Sequence, residues 1–198
     1  MALSSRAAAA HEQGGIQFGP FEVTDQVFFT TPHSFALVNL KPLTPGHVLV
    51  CPLRPHPRLT DLSGDETADL FATVQVAQRL LARAYFRSAE PCGGSFTVAV
   101  QDGKEAGQTV PHVHVHVIPR LRYEERTEEG RGQAPDQVYV DMASEKGNVG
   151  GALWDTRERP VPGGGMPRIE DDDRGARTSE DMNEEAERYR QMLKDMGI

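Results

Sequence analysis

The sequence predicts an α+β fold built on an antiparallel sheet of about five strands, with one long helix and a C-terminal helix. Three observations carry that expectation. Runs rich in β-branched and aromatic residues recur at Val27–Thr31, Phe35–Asn39, His47–Cys51, Phe96–Gln101 and His112–Ile118. A single long stretch between the third and fourth runs has helical spacing. Strands that arrive in runs, rather than alternating one for one with helices, favour antiparallel pairing.

The elements can be justified in order. Lys41-Pro-Leu-Thr-Pro-Gly46 is turn-rich and joins the second and third strands as a hairpin. Ser63 begins the long helix, and Glu66 completes a capping box three residues on. Leu70, Val74, Ala77, Leu81 and Ala84 then form one apolar stripe, and Pro91, Gly93 and Gly94 end the region. Asp102 to Thr109 is a loop between the last two strands. The final helix runs from about Ser179 to Met196. Thr178 and Asp181 cap it, and Met182, Ala186, Tyr189, Leu193 and Met196 line its apolar side.

Four regions follow. Residues 1–15 read as a disordered start. Residues 16–142 form the folded domain, and residues 143–178 a flexible Gly/Pro-rich linker or loop. Residues 179–198 form the helix that packs back on the domain. The start lacks an apolar segment ahead of a small-residue cleavage site, so it does not read as a secretory signal. Ser4, Ser5, Arg6 and Ala7 to Ala10 leave organelle targeting open.

Composition narrows the function. The 198 residues carry 21 Lys and Arg against 29 Asp and Glu, a net charge of −8. A basic footprint for polymeric nucleic acid is missing, although a small anion can still find a local site. Two cysteines, Cys51 and Cys92, exclude a disulfide scaffold and a Cys-rich zinc site. No apolar run approaches the roughly 20 residues of a spanning helix. Cytoplasm is the expected compartment.

The chemistry concentrates in Gly107-Gln-Thr-Val-Pro-His112-Val-His114-Val-His116-Val-Ile-Pro119. On a strand, His112, His114 and His116 share one face, while Val113, Val115 and Val117 share the other and meet the helix. Three readings compete for the histidines. They decorate a half-solvated strand, they chelate a metal, or one of them attacks phosphorus while its neighbours bind oxygens. Small residues ahead of the strand let backbone N–H groups approach a phosphate, which favours the third.

His112-Val-His-Val-His-Val-Ile118 resembles the His-φ-His-φ-His-φ-φ signature of the histidine triad superfamily. Ser34–Asn39, Pro45–Pro55, Gln101-Asp-Gly103 and Glu105–Val110 look like its fragile histidine triad (Fhit) branch. The triad runs on into Ile118-Pro119-Arg120, whereas the phosphoramidase branch has a Gly-Gly pair there. The likeness covers about Phe18 to Tyr139 in pieces, with a weaker echo in the last helix.

The resemblance implies a bis(5'-adenosyl)-triphosphatase that cleaves diadenosine triphosphate to AMP and ADP. It implies that His114 attacks the α-phosphorus and carries a nucleotidyl group. His116 would meet phosphate oxygens, and His112 would support the nucleophile. Gln101, Gly107, Gln108, Thr109 and Val110 would bind phosphates, with Gln108 also by the leaving oxygen. Asn39 would hold the ribose, and Phe18, Leu37 and Leu49 would flank the adenine. Tyr139 would be a substrate-side tyrosine, and His47 is either structural or functional. A homodimer is expected, with the long helix and a neighbouring strand at its interface. A divalent cation, Mg2+ or Mn2+, is expected to arrive with the polyphosphate, with no resident metal site.

Some residues depart from the pattern. Pro20 follows Phe18-Gly19, Pro111 removes a backbone donor just before the triad, and Lys104 adds a positive charge near the expected phosphates. Lys104 points towards longer polyphosphates. Within the superfamily the alternatives are a phosphoramidase or an AMP–lysine hydrolase. Beyond it, the alternatives are a dinucleotide-binding signalling protein and a metal-binding protein.

Overall fold

The computed structural model describes residues 15–120 and 176–198. Tyr139 and residues 143–175 of the expected linker lie outside them. Seven strands are described: β1 (Gln17–Phe18), β2 (Phe21–Glu22), β3 (Val27–Thr30), β4 (Ser34–Val38), β5 (Val48–Pro52), β6 (Ser95–Val100) and β7 (Val115–Arg120). The helices are α1 (Gly64–Tyr85) and α2 (Ser179–Asp195).

Five strands make the main sheet in the order β3-β4-β5-β7-β6, with each neighbouring pair antiparallel. β4 and β5 form the expected hairpin, with Leu37 opposite Leu49 and Phe35 opposite Cys51. β7 lies between β5 and β6, so His116 faces Leu49 on one side and Ala99 on the other.

Pleating sorts the side chains into two layers. Ala36, Val38, Val48, Val50, Val113, Val115 and Val117 pack with Leu70, Val74, Ala77, Leu80 and Leu81 of α1. Met182, Ala186, Tyr189 and Leu193 of α2 complete this core. Each large aliphatic side chain buried there contributes about 1.5–3 kcal/mol. The opposite face gathers Phe18, Phe35, Leu37, Leu49, Cys51 and Val110 into a second cluster.

Both capping boxes form. Ser63 Oγ accepts from Glu66 N–H at 3.2 Å, and the Glu66 carboxylate accepts from Ser63 N–H at 2.9 Å. The bond from Ser63 N–H, joined by those from His56 and the Ser63 side chain, holds the Glu66 carboxyl down to about 2. Thr178 and Asp181 repeat the device at α2.

Two differences from the sequence reading bear on the site. The expected strand His112–Ile118 enters the ladder only at Val115. Val50 of β5 and Val100 of β6 both pair with Val115, and β6 ends there. On the other side the ladder stops before Pro52, which has no N–H to give. His112 and His114 therefore project from a bend just outside the sheet, although their alternation with Val113 and Val115 persists. The second difference is the hairpin β1–β2, which turns at Gly19 with φ +56°. It lays Phe18 over the histidine face, so that face is buried and the half-solvated strand reading fails. His112, His114 and His116 are all nearly inaccessible.

Candidate active site

The backbone around the triad dictates where each imidazole proton sits. His112 Nδ1 accepts from Gly19 N–H at 3.0 Å, so its proton is on Nε2, which donates to the Pro52 carbonyl at 2.7 Å. Both nitrogens are thereby committed to the scaffold. His112 has no lone pair left for a metal, and the metal-chelate reading loses one of its three ligands. Burial drives its pKa down to about 4 despite the Pro52 carbonyl, so His112 is neutral at pH 7.

His112 supports the next histidine through its backbone. His114 Nδ1–H donates to the His112 carbonyl at 2.8 Å. The neutral ring must then carry its lone pair on Nε2, the form a nucleophile needs. Burial lowers the His114 pKa, which keeps the lone pair unprotonated. The His114 and Phe18 rings meet edge to face, with centroids 5.4 Å apart and planes at 89°.

A fourth histidine fixes the third. Leu43 N–H donates to His47 Nδ1 at 3.2 Å, which places the His47 proton on Nε2. That proton points to His116 Nδ1, 3.0 Å away. His116 therefore accepts at Nδ1 and carries its own proton on Nε2. This Nε2 is buried and meets no hydrogen-bond partner, and the ring lies 5.1 Å from His114 between centroids. An orphaned buried donor costs about 1–3 kcal/mol, a cost that an incoming acceptor would relieve. Burial holds the His116 pKa well below its ordinary value.

Sequence reasoning left His47 between a structural and a functional role; the structure places it directly behind His116. The signal was its position after Pro45-Gly46, where a tight turn returns the chain to β5. Asn39, at the end of β4, is buried beside the same ring. Its Nδ2 lies 3.4 Å from the accepting His47 Nδ1, and its Oδ1 accepts from Lys41 N–H at 3.1 Å. Leu37 and Leu49 neighbour Phe18 in the second apolar cluster.

The loop before the triad is built on two glycines in positive-φ conformations, Gly103 at +106° and Gly107 at +89°. A Cβ on Gly107 would lie 2.8 Å from Gln101 Nε2, so only glycine lets the Gln101 amide pack there. Gln108 braces the loop. Its Oε1 accepts from Gly103 N–H at 2.9 Å, and its Nε2 donates to the Pro57 carbonyl at 3.0 Å. Asp102 ties the loop to the segment after β5, accepting from Leu59 N–H at 2.9 Å and from Arg58 Nε at 3.1 Å. Those bonds lower the Asp102 pKa. Thr109 is buried beside Val110. The Val110 side chain packs against Gly19, and its carbonyl accepts from His112 N–H at 2.8 Å. The loop and the triad thus come together, with Asn39 and His47 behind them.

Residues 20–123, just over half of the chain, match the HIT domain family. The chain belongs to the HIT family. Over 178 residues the chain is 40% identical to the bis(5'-nucleosyl)-tetraphosphatase [asymmetrical] of Schizosaccharomyces pombe, covering 87% of this chain and 91% of that one. It is also 40% identical over 178 residues to the bifunctional bis(5'-adenosyl)-triphosphatase/adenylylsulfatase FHIT of Arabidopsis thaliana, covering 89% and 83%. A nitrilase and fragile histidine triad fusion protein of Caenorhabditis elegans is 53% identical over 110 residues, and there the match spans 24% of the longer protein. Among solved structures, the Plasmodium falciparum diadenosine triphosphate hydrolase aligns with a TM-score of 0.59 and 26% identity, covering 92% of this chain and 86% of that one.

Proposed function

We propose that this HIT protein hydrolyses dinucleoside polyphosphates, cleaving diadenosine triphosphate to AMP and ADP through a nucleotidyl-histidine on His114. The observation that carries the reading is the His114 Nδ1–H bond to the His112 carbonyl, which leaves the lone pair on Nε2. The relatives named as dinucleoside polyphosphatases support the substrate class.

In the first step Nε2 of His114 bonds to the α-phosphorus. The bridging bond breaks, and its electron pair leaves with ADP. The imidazole turns cationic as the new bond forms, and the His112 carbonyl on Nδ1–H stabilises that charge. His116 offers its Nε2–H to a phosphate oxygen, with His47 holding the tautomer. A water molecule then attacks the same phosphorus; the P–N bond breaks with its electron pair returning to Nε2, one proton of the water passes to solvent, and AMP leaves with His114 neutral again. Splitting one displacement into two lowers each barrier.

In this reading Gln101, Gly107, Thr109 and Val110 of the loop meet phosphates, and Lys104 adds charge there for a longer chain. Gln108 reaches the leaving oxygen only by using its second amide hydrogen or by leaving the Pro57 carbonyl. Among the described residues, no three His, Cys, Asp or Glu side chains stand together as a metal cage. The cation in this proposal travels with the polyphosphate, and no step is assigned to it.

The cytoplasm is our proposed location; among the described residues no helix is long and apolar enough to cross a membrane. We expect no nucleic-acid partner. A homodimer is supported by β6, which is an edge strand of the sheet with Val98 40% exposed. Product analysis tests the activity. Diadenosine triphosphate with Mg2+ should give AMP and ADP in equal amounts by HPLC. An inert protein, or one that acts only on adenosine phosphoramidates, would reject the assignment.

A further inference from the structure

The loop that carries Asn39 and His47 is gripped from behind by the C-terminal helix. Arg177, just ahead of the α2 cap Thr178, donates its backbone N–H to the Leu40 carbonyl at 3.2 Å. Its guanidinium lies 3.5 Å from the Asn39 carbonyl, 2.5 Å from Glu185 Oε2 and 3.0 Å from the Asp181 carbonyl. Glu185 is fixed in turn, because its Oε1 accepts from Tyr189 OH at 2.8 Å and from Tyr85 OH at 3.2 Å. The Tyr85 ring occupies the space above Gly46, where a Cβ would lie 2.5 Å from Cε2. Gly46 immediately precedes His47. The α2 segment thus bears on both ends of the loop, directly at Asn39–Leu40 and through Tyr85 at Gly46.

We propose that Arg177, locked to Glu185, is a positioning residue for substrate binding, setting the backbone at Asn39–Leu40 and thereby the side chain of Asn39. The proposal rests on the reading of Asn39 as the ribose-holding residue. The ion pair is well shielded, with side chains 23% and 12% exposed, so it holds more firmly than a pair in open water. The planar fork of Arg177 is what fastens this entry to α2. Without the fork, one backbone bond of 3.2 Å remains to tie the segment to Leu40. His114 hangs on a different carbonyl, so loosening Asn39 weakens binding more than chemistry.

A double-mutant cycle on the full chain tests this, with diadenosine triphosphate and Mg2+ as substrate. Arg177→Ala should raise KM about tenfold and leave kcat within about threefold, and Asn39→Ala should raise KM at least as much. The double variant should resemble Asn39→Ala alone, because both changes remove one coupled interaction. Arg177→Lys should fall between wild type and Arg177→Ala, since an ammonium cannot reproduce the fork. If Arg177→Ala does not fold, Glu185→Gln should give the same KM shift while an amide oxygen still accepts from Tyr189. KM effects that multiply, or a fall in Tm with KM unchanged, would overturn the positioning role. An Asn39→Ala variant with wild-type KM would instead reject the ribose assignment, and the route through Asn39 with it.

Discussion

Replacing His114 with asparagine should lower the single-turnover rate of diadenosine triphosphate cleavage by about four orders of magnitude or more, roughly 5.5 kcal/mol of barrier. The substitution is chosen for what it retains. An asparagine amide can still donate to the His112 carbonyl, which accepts from His114 Nδ1–H at 2.8 Å in the native site. Its side chain places no lone pair where Nε2 was. The phosphate loop, Asn39 and the His47–His116 pair are untouched, so dinucleotide affinity should change by less than about threefold in a direct titration. Loss of rate with binding retained is the signature of a group acting in the transition state. A rate within about tenfold of wild type, or a parallel loss of binding, would remove His114 from the nucleophile's role.

The second large effect concerns stability against acid. His112, His114 and His116 are buried, and each has its pKa lowered chiefly by that burial. The ordinary histidine value is 6.5, and His112 in the fold is near 4. Below pH 6.5 the unfolded chain takes up protons that the folded chain refuses, so stability falls as pH falls. For His112 the loss runs from about pH 6.5 to about pH 4 and amounts to about 3 kcal/mol, at 1.36 kcal/mol per pKa unit. His114 and His116 act in the same direction. Net stabilities of domains this size are about 5–15 kcal/mol, so the effect is a large share of the whole. The denaturant midpoint should be steady above pH 7 and drop continuously from pH 6.5 to pH 5. A midpoint that is flat over that interval would mean the triad is solvated and charged in the folded protein.

What the sequence revealed and what it concealed differ in physical kind. Ser63 with Glu66, and Thr178 with Asp181, are legible because a capping box closes within four residues. Val113, Val115 and Val117 are legible because strand alternation persists even where the ladder has not begun. The ladder's start at Val115 was hidden, since it depends on where β5 and β6 end. The hairpin β1–β2 was hidden because strands of two residues carry no period, although Gly19-Pro20 is a turn signal. The proton positions were the least legible part of the site. They are set by Gly19, Pro52 and Leu43, whose main-chain groups reach the histidines from three separate segments. The brace that Gln108 makes to Gly103 and Pro57 likewise exists only once the loop is folded.

The central claim is that phosphorus is attacked twice, first by His114 and then by water. Stereochemistry at the α-phosphorus tests this directly. A diadenosine triphosphate made chiral at that atom is hydrolysed in isotopically labelled water, and the configuration of the released AMP derivative is determined. Two in-line displacements, each inverting, predict overall retention. Inversion would show that water attacks the substrate directly and would contradict a nucleotidyl-His114 intermediate.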